Sequence, residues 1–160
     1  IIIKGKLFDK NRFLEIIKMN MGKYNYLLLE SDPKNLYEYK VKIELNEKIP
    51  LIKTRGDDIR VKIKNLSSIS LVSNHPNYIR SLNISYHLKK GNDIVLWDGN
   101  RTSLFGNIIR PGEIKESFIK LPDNLLPGSY TVLVDLVHEG VTWFGDKDKN
   151  NILEVPLVVK

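Results

Sequence analysis

The chain has no cysteine among its 160 residues. That excludes disulfides, a thiol nucleophile and a zinc site built on thiolates, and it agrees with a cytoplasmic setting. It has no run near the roughly 20 apolar residues that a membrane-spanning helix requires, so direct membrane insertion is not expected. The first residues, Ile1-Ile2-Ile3-Lys4, carry neither the apolar stretch nor the cleavage site of a secretion signal. They also lack an initiator methionine, and the sequence reads as a piece of a longer chain.

Catalytic signals are as scarce. No serine sits in a G-x-S-x-G elbow. The histidines are three, His75, His87 and His138, and no pair has the spacing of a helical metal motif. A histidine satisfied in the core or simply exposed is the default for each. Asp146, Asp148 and Asn150 imitate the start of a calcium loop, but Asn151 stands at its glycine position and Leu157 at its bidentate acid position. No cofactor and no resident metal is expected, and the chain reads as a non-enzyme.

What is present is a globular composition, 42% hydrophobic and 28% charged. The net charge of +6 is uneven. Residues 1–64 hold 15 basic and 9 acidic residues, against 10 of each over 65–160. Nucleic-acid binding predicts a clustered basic stripe with aromatics beside it. Here Arg60, Lys62 and Lys64 alternate along a strand with Ile59, Val61 and Ile63, which is the pattern of a solvated strand face. No nucleic-acid partner is expected.

Residues 1–36 differ from the rest. A short strand over 1–7, Asp9 as helix N-cap, Phe13, Ile16 and Ile17 at helical spacing, Gly22 as terminator and a strand over 24–29 make a short α/β segment. It is either an appended unit or the tail of a preceding domain. The polar turn cluster 31–35 is the boundary candidate.

From Tyr37 to Lys160 the period is two. Tyr37, Tyr39, Val41, Ile43 and Leu45 alternate with charged residues, and a shorter strand is expected over 49–53. Leu82, Ile84, Tyr86 and Leu88 oppose Ser81, Asn83, Ser85 and His87. Strands over 94–97, 114–121 and 153–159 follow, with a polar loop over 146–151 before the last; Pro156 argues for an edge position in that strand. The run from Pro127 to Phe144 is the most informative. Tyr130, Val132, Val134 and Leu136 form a wholly apolar face; Thr131, Leu133, Asp135 and Val137 form a mixed one. Seven to nine short strands with turns about every 10 residues predict an antiparallel β-sandwich over 37–160. Its interior should hold Val61, Ile63, Leu82, Ile84, Tyr86, Val132, Val134 and Leu136. Tyr130 is expected to bond backbone near the turn before it.

Two segments join aromatics to polar groups. One runs Trp97-Asp98-Gly99-Asn100-Arg101-Thr102, the other His138-Glu139-Gly140-Val141-Thr142-Trp143-Phe144. A sugar is recognised by an aromatic ring against its apolar face and by planar carboxylate, amide and guanidinium groups on its hydroxyls. The candidate ligand-binding residues are therefore Trp97, Asp98, Arg101, His138, Glu139 and Trp143. The two segments should lie together, with Arg101 bonded to Asp135 or Glu139. Core packing is the competing role for each tryptophan.

The order Ser85-Tyr86-His87-Leu88, Val95 to Thr102, Arg110-Pro111-Gly112-Glu113, Pro127 to Tyr130 and Asp135 to Phe144 resembles an immunoglobulin-like domain found beside bacterial methyltransferases and glycosyltransferases of surface-polysaccharide synthesis. More distantly it is similar to the C-terminal sandwich of the ATPase subunit of O-polysaccharide ABC transporters, which recognises the glycan before export. The resemblance covers roughly residues 40–160 and departs at Leu88, where the pattern often carries an aromatic. It implies a non-catalytic carbohydrate-binding module for an O-antigen-like polysaccharide, joined to a larger parent protein or a neighbouring enzyme. The alternative is a spacer or protein-interaction domain docking such an enzyme. A homodimer is left open.

Overall fold

The computed structural model describes residues 38–73, 81–104 and 108–160. The α/β segment expected over 1–36, its boundary at 31–35 and His75 lie outside them. The described residues are all-β with one short helix and one 3-10 turn. The strands are β1 (Val41–Leu45), β2 (Leu51–Lys53), β3 (Asp58–Asn65), β4 (Leu71–Val72), β5 (Leu82–Lys90), β6 (Asp93–Leu96), β7 (Thr102–Ser103), β8 (Ile108–Ile109), β9 (Ile114–Lys120), β10 (Gly128–His138), β11 (Thr142–Trp143) and β12 (Leu153–Val159). Helix α1 is Phe144–Lys147, and the 3-10 turn is Lys149–Asn151.

One sheet runs β1-β3-β9, another β2-β12-β10-β5-β6 with β11 on β10 and β7 on β5, and β4 pairs β8. The β1-β3-β9 sheet buries one face, whereas the centre of the other, at β5 and β10, is buried on both. All eight residues expected inside are buried. In the centre, Val132, Val134 and Leu136 of β10 stand opposite Leu88, Tyr86 and Ile84 of β5. Each fully buried aliphatic side chain contributes about 1.5–3 kcal/mol relative to exposure. A one-residue slip of β10 would exchange its two faces and put Asp135 in the core, so the alternation fixes the register. Tyr86 ties the larger sheets together. It is fully buried, and its hydroxyl donates to the Lys120 carbonyl of β9 at 2.7 Å. The Tyr130 hydroxyl donates to the Leu126 carbonyl at 2.9 Å, as expected of a strand-entry tyrosine.

Four expectations are corrected. The pairing is antiparallel except for β2, which lies parallel to β12. Pro156 is not on an edge strand, because β12 sits between β2 and β10. It is tolerated because β2 pairs only with Leu157–Val159, leaving Pro156 without a β2 partner for the N–H it lacks. The first strand begins at Val41 rather than Tyr37. Asn151 takes the place of a strand there: its amide nitrogen donates to the Tyr39 carbonyl and its amide oxygen accepts from the Val41 N–H, each at 2.9 Å. Finally, the polar loop expected over 146–151 is α1 and the 3-10 turn. The Asp148 carboxylate caps that turn by accepting from the Asn150 N–H at 2.9 Å.

Candidate functional site

The site is built on the second face of β5 and β10, turned away from the apolar one. Asn83, Ser85 and His87 of β5 stand opposite Val137, Asp135 and Leu133 of β10. All six are buried, although three polar side chains in a row would ordinarily be solvated. The cover comes from the chain beyond β10. Gly140 turns at φ 70°, a left-handed conformation that favours glycine. β11 then returns with Trp143 opposite Val137, laying the indole over this face.

The 97–102 loop is laced onto β5 from the other side. The Gly99 N–H donates to the Tyr86 carbonyl at 3.0 Å, and the Ser85 hydroxyl donates to the Gly99 carbonyl at 2.9 Å. A Cβ at Gly99 would stand 2.5 Å from the Tyr86 ring, so only glycine fits this approach. The loop delivers Arg101 to the centre. Its Nε donates to Glu139 Oε1 at 2.7 Å, and its Nη1 donates to Asp98, to the Gly99 carbonyl at 3.0 Å and to Ser85 Oγ at 3.2 Å. Asn83 donates to the same Glu139 oxygen at 2.9 Å. The guanidinium lies 5.0 Å from the Trp143 ring centroid, within cation–π range. Burial opposes its charge, but the hydrogen bonds to Asp98 and Glu139 outweigh that and hold its pKa above the ordinary arginine value.

His87 sits between the two indoles. Its ring stacks on Trp97 at 4.5 Å and 27° and meets Trp143 at 4.4 Å and 53°. Its Nδ1 is hydrogen-bonded to the Trp97 carbonyl; a carbonyl only accepts, so Nδ1 carries the proton. Trp97 is 54% exposed, whereas Trp143 is half-buried. Beside Trp97 opens a pocket of about 400 Å³, lined by His87, Trp97, Ile94, Leu133 and Ile152 among others, with Lys89, Lys149, Asp146 and Glu154 as charged groups and Asp135 also in its wall.

Asp135 is 1% exposed. Its Oδ2 accepts from the Gly145 N–H at 2.9 Å and its Oδ1 from the Leu136 N–H at 2.7 Å. Burial pushes its pKa up to about 6, against the lowering effect of those two N–H groups; Asp146 adds to the rise and Lys149 opposes it.

The structure brings together five of the six expected residues, Trp97, Asp98, Arg101, Glu139 and Trp143. His138 is corrected out of the site. It continues the core face of β10, is fully buried, and has its Nδ1 3.2 Å from the Tyr39 hydroxyl. Glu139, not Asp135, is the carboxylate that holds Arg101. No group of three or more potential metal-ligating side chains occurs among the described residues. Sequence reasoning did not include His87, Asn83, Ser85 or the pocket-lining Asp135 in the site. Their signal was present in the polar second face of β5 and the mixed face of β10.

No protein-family model matches the chain, and no curated protein matches it. Among solved structures it is similar to the Pseudomonas fluorescens alkylpurine DNA glycosylase AlkC bound to DNA containing an abasic site analog, at 13% identity and TM-score 0.37, over 74% of this chain and 30% of that one. It is also similar to a family 123 glycoside hydrolase from Clostridium perfringens, at 13% identity and TM-score 0.36, over 75% of this chain and 27% of that one. The chain thus spans less than a third of either protein. Likeness at this level carries no argument about fold or function.

Proposed function

We propose that the 37–160 unit is a non-catalytic carbohydrate-binding module for a bacterial surface polysaccharide, working in the cytoplasm beside the machinery that builds or exports the glycan. One observation carries the reading: an exposed indole, Trp97, held by stacking on His87 at the wall of a pocket that mixes apolar and charged side chains. An immobilised aromatic face with polar groups beside it suits the apolar face and hydroxyl rim of a pyranose. Trp143 does not line the pocket; it supports His87 and Arg101 from behind. For the fold we infer an immunoglobulin-like sandwich. The sheet order, the parallel β2 and the Tyr130–Leu126 bond support it.

A glycan array on the purified protein tests the function, with Trp97→Ala as the control. Binding should be abolished while stability falls by only about 1–2 kcal/mol, the stacking on His87 and the covered part of a ring that is more than half exposed. An array with no bound glycan, or full affinity in the variant, overturns the reading. The second reading is a docking domain for a neighbouring enzyme, and the edge strand β6 favours it. Ile94 and Val95 are exposed there, next to an apolar hollow of about 390 Å³ whose lining includes Val95, Leu96, Leu125 and Leu126.

A further inference from the structure

We infer that the pocket beside Trp97 selects sugars carrying a free amino group, held as an ammonium against Asp135. This rests on the glycan-binding reading and names the ligand class of that site. The observation behind it is a buried carboxyl group in the pocket wall. Asp135 lines the cavity, is almost wholly buried and has no ion-pair partner among the described residues. Its contacts are backbone N–H groups, from Leu136 to Oδ1 and from Gly145 to both oxygens. Oδ2 accepts only that shared Gly145 bond and keeps acceptor capacity.

The charged groups around the pocket are of both signs and sum to a net negative charge. β5 contributes His87 and Lys89, α1 contributes Asp146, the 3-10 turn Lys149 and β12 Glu154. Among the carboxylates and ammonium groups of the lining, Asp135, Asp146 and Glu154 exceed the two lysines by one negative charge. An ammonium supplies the missing cation and a charge-assisted hydrogen bond. A neutral hydroxyl or N-acetyl group at the same carbon supplies only a neutral donor and leaves the carboxylate desolvated without a counter-charge. Apolar side chains share the lining, Ile94, Leu133 and Ile152, which suits a sugar ring better than a hydrated metal ion.

The test uses three β-1,4-linked oligomers that differ at one carbon: glucosamine, N-acetylglucosamine and glucose, measured by calorimetry at pH 7 and pH 5. The free-amine oligomer should bind roughly 10- to 100-fold tighter than the other two at pH 7. Asp135→Asn should remove that preference. At pH 5 the preference should shrink in the parent, because Asp135 is then largely protonated. Running Asp135→Asn at both pH values separates this from protonation of the sugar amine itself. A measurement on the unmutated protein stands independently: the Asp135 carboxyl carbon signal should titrate at lower pH with the glucosamine oligomer bound. Binding without an amine preference, or an Asp135 titration unmoved by the ligand, overturns this inference and leaves the glycan reading standing. No binding by any of the three, together with an empty array, overturns both.

Discussion

Replacing Arg101 by alanine should destabilise the protein by about 2–3 kcal/mol. Removing one partner of a buried ion pair typically costs about 3–5 kcal/mol, because the other charge stays desolvated. Glu139 is only 8% exposed, and in the variant it keeps one side-chain donor, Asn83. The arginine side chain, however, is a quarter exposed, so water can enter as it leaves, and the cost falls below that range, to about 1.5–2 kcal/mol. Loss of the contact with Trp143 adds roughly 0.5–1 kcal/mol. Asp98 contributes little, since its side chain is 56% exposed and exposed pairs are worth about 0–1 kcal/mol. The assay is urea denaturation of Arg101→Ala, Glu139→Gln and the double variant at pH 7, read as a thermodynamic cycle. Neutralising Glu139 removes the orphaned charge, so the double variant should be more stable than Arg101→Ala alone. The coupling should be about 1–2 kcal/mol. A cost below about 0.5 kcal/mol for Arg101→Ala, or strict additivity, would refute the view that this pair organises the face.

Three further outcomes are expected. Gly99→Ala should cost about 1–3 kcal/mol, because its Cβ meets a fully buried Tyr86 ring pinned by the Lys120 carbonyl; a denaturation midpoint equal to the parent's would contradict the close approach. Tyr130→Phe should cost about 1 kcal/mol through loss of the bond to Leu126, measurable by the same denaturation series. Asp135 binds its proton more tightly folded, at a pKa of about 6, than at its ordinary value of 3.8. The folded state therefore holds more protons between those values, and stability falls as pH rises through that window. About two pKa units correspond to roughly 3 kcal/mol, a penalty complete above pH 6 and absent below about pH 4. The stability of the parent minus that of Asp135→Asn should rise as pH falls from 7 to 4, and a flat difference would remove the desolvation account.

The apolar half of this fold was legible because alternation is local. Val132, Val134 and Leu136 need only their neighbours in sequence to declare a core face, and Ile59, Val61 and Ile63 do the same. The tyrosine at the strand entry was legible for a similar reason, since its partner Leu126 is four residues away. The α1 and 3-10 segment was not, because polar residues over 146–151 read as a loop whichever way they coil.

The harder failure concerns the second face of β5. Asn83, Ser85 and His87 alternate with apolar residues, and a period of two cannot tell a face open to water from one covered by distant chain. What decides it is the return of β11 and α1 across the sheet, and that return is held by contacts far apart in sequence. Asn151 is the clearest of them: it grips Tyr39 and Val41 more than 100 positions away and donates to the Phe144 carbonyl at 2.9 Å. Once the segment lies down, Asp135 loses water, Trp143 reaches His87, and Glu139 needs Arg101. The same event that buries the polar groups also creates the pocket beside Trp97. A weakened Asn151 clamp should therefore loosen the site while leaving the apolar face of β10 in place, because the two are stabilised by separate sets of contacts.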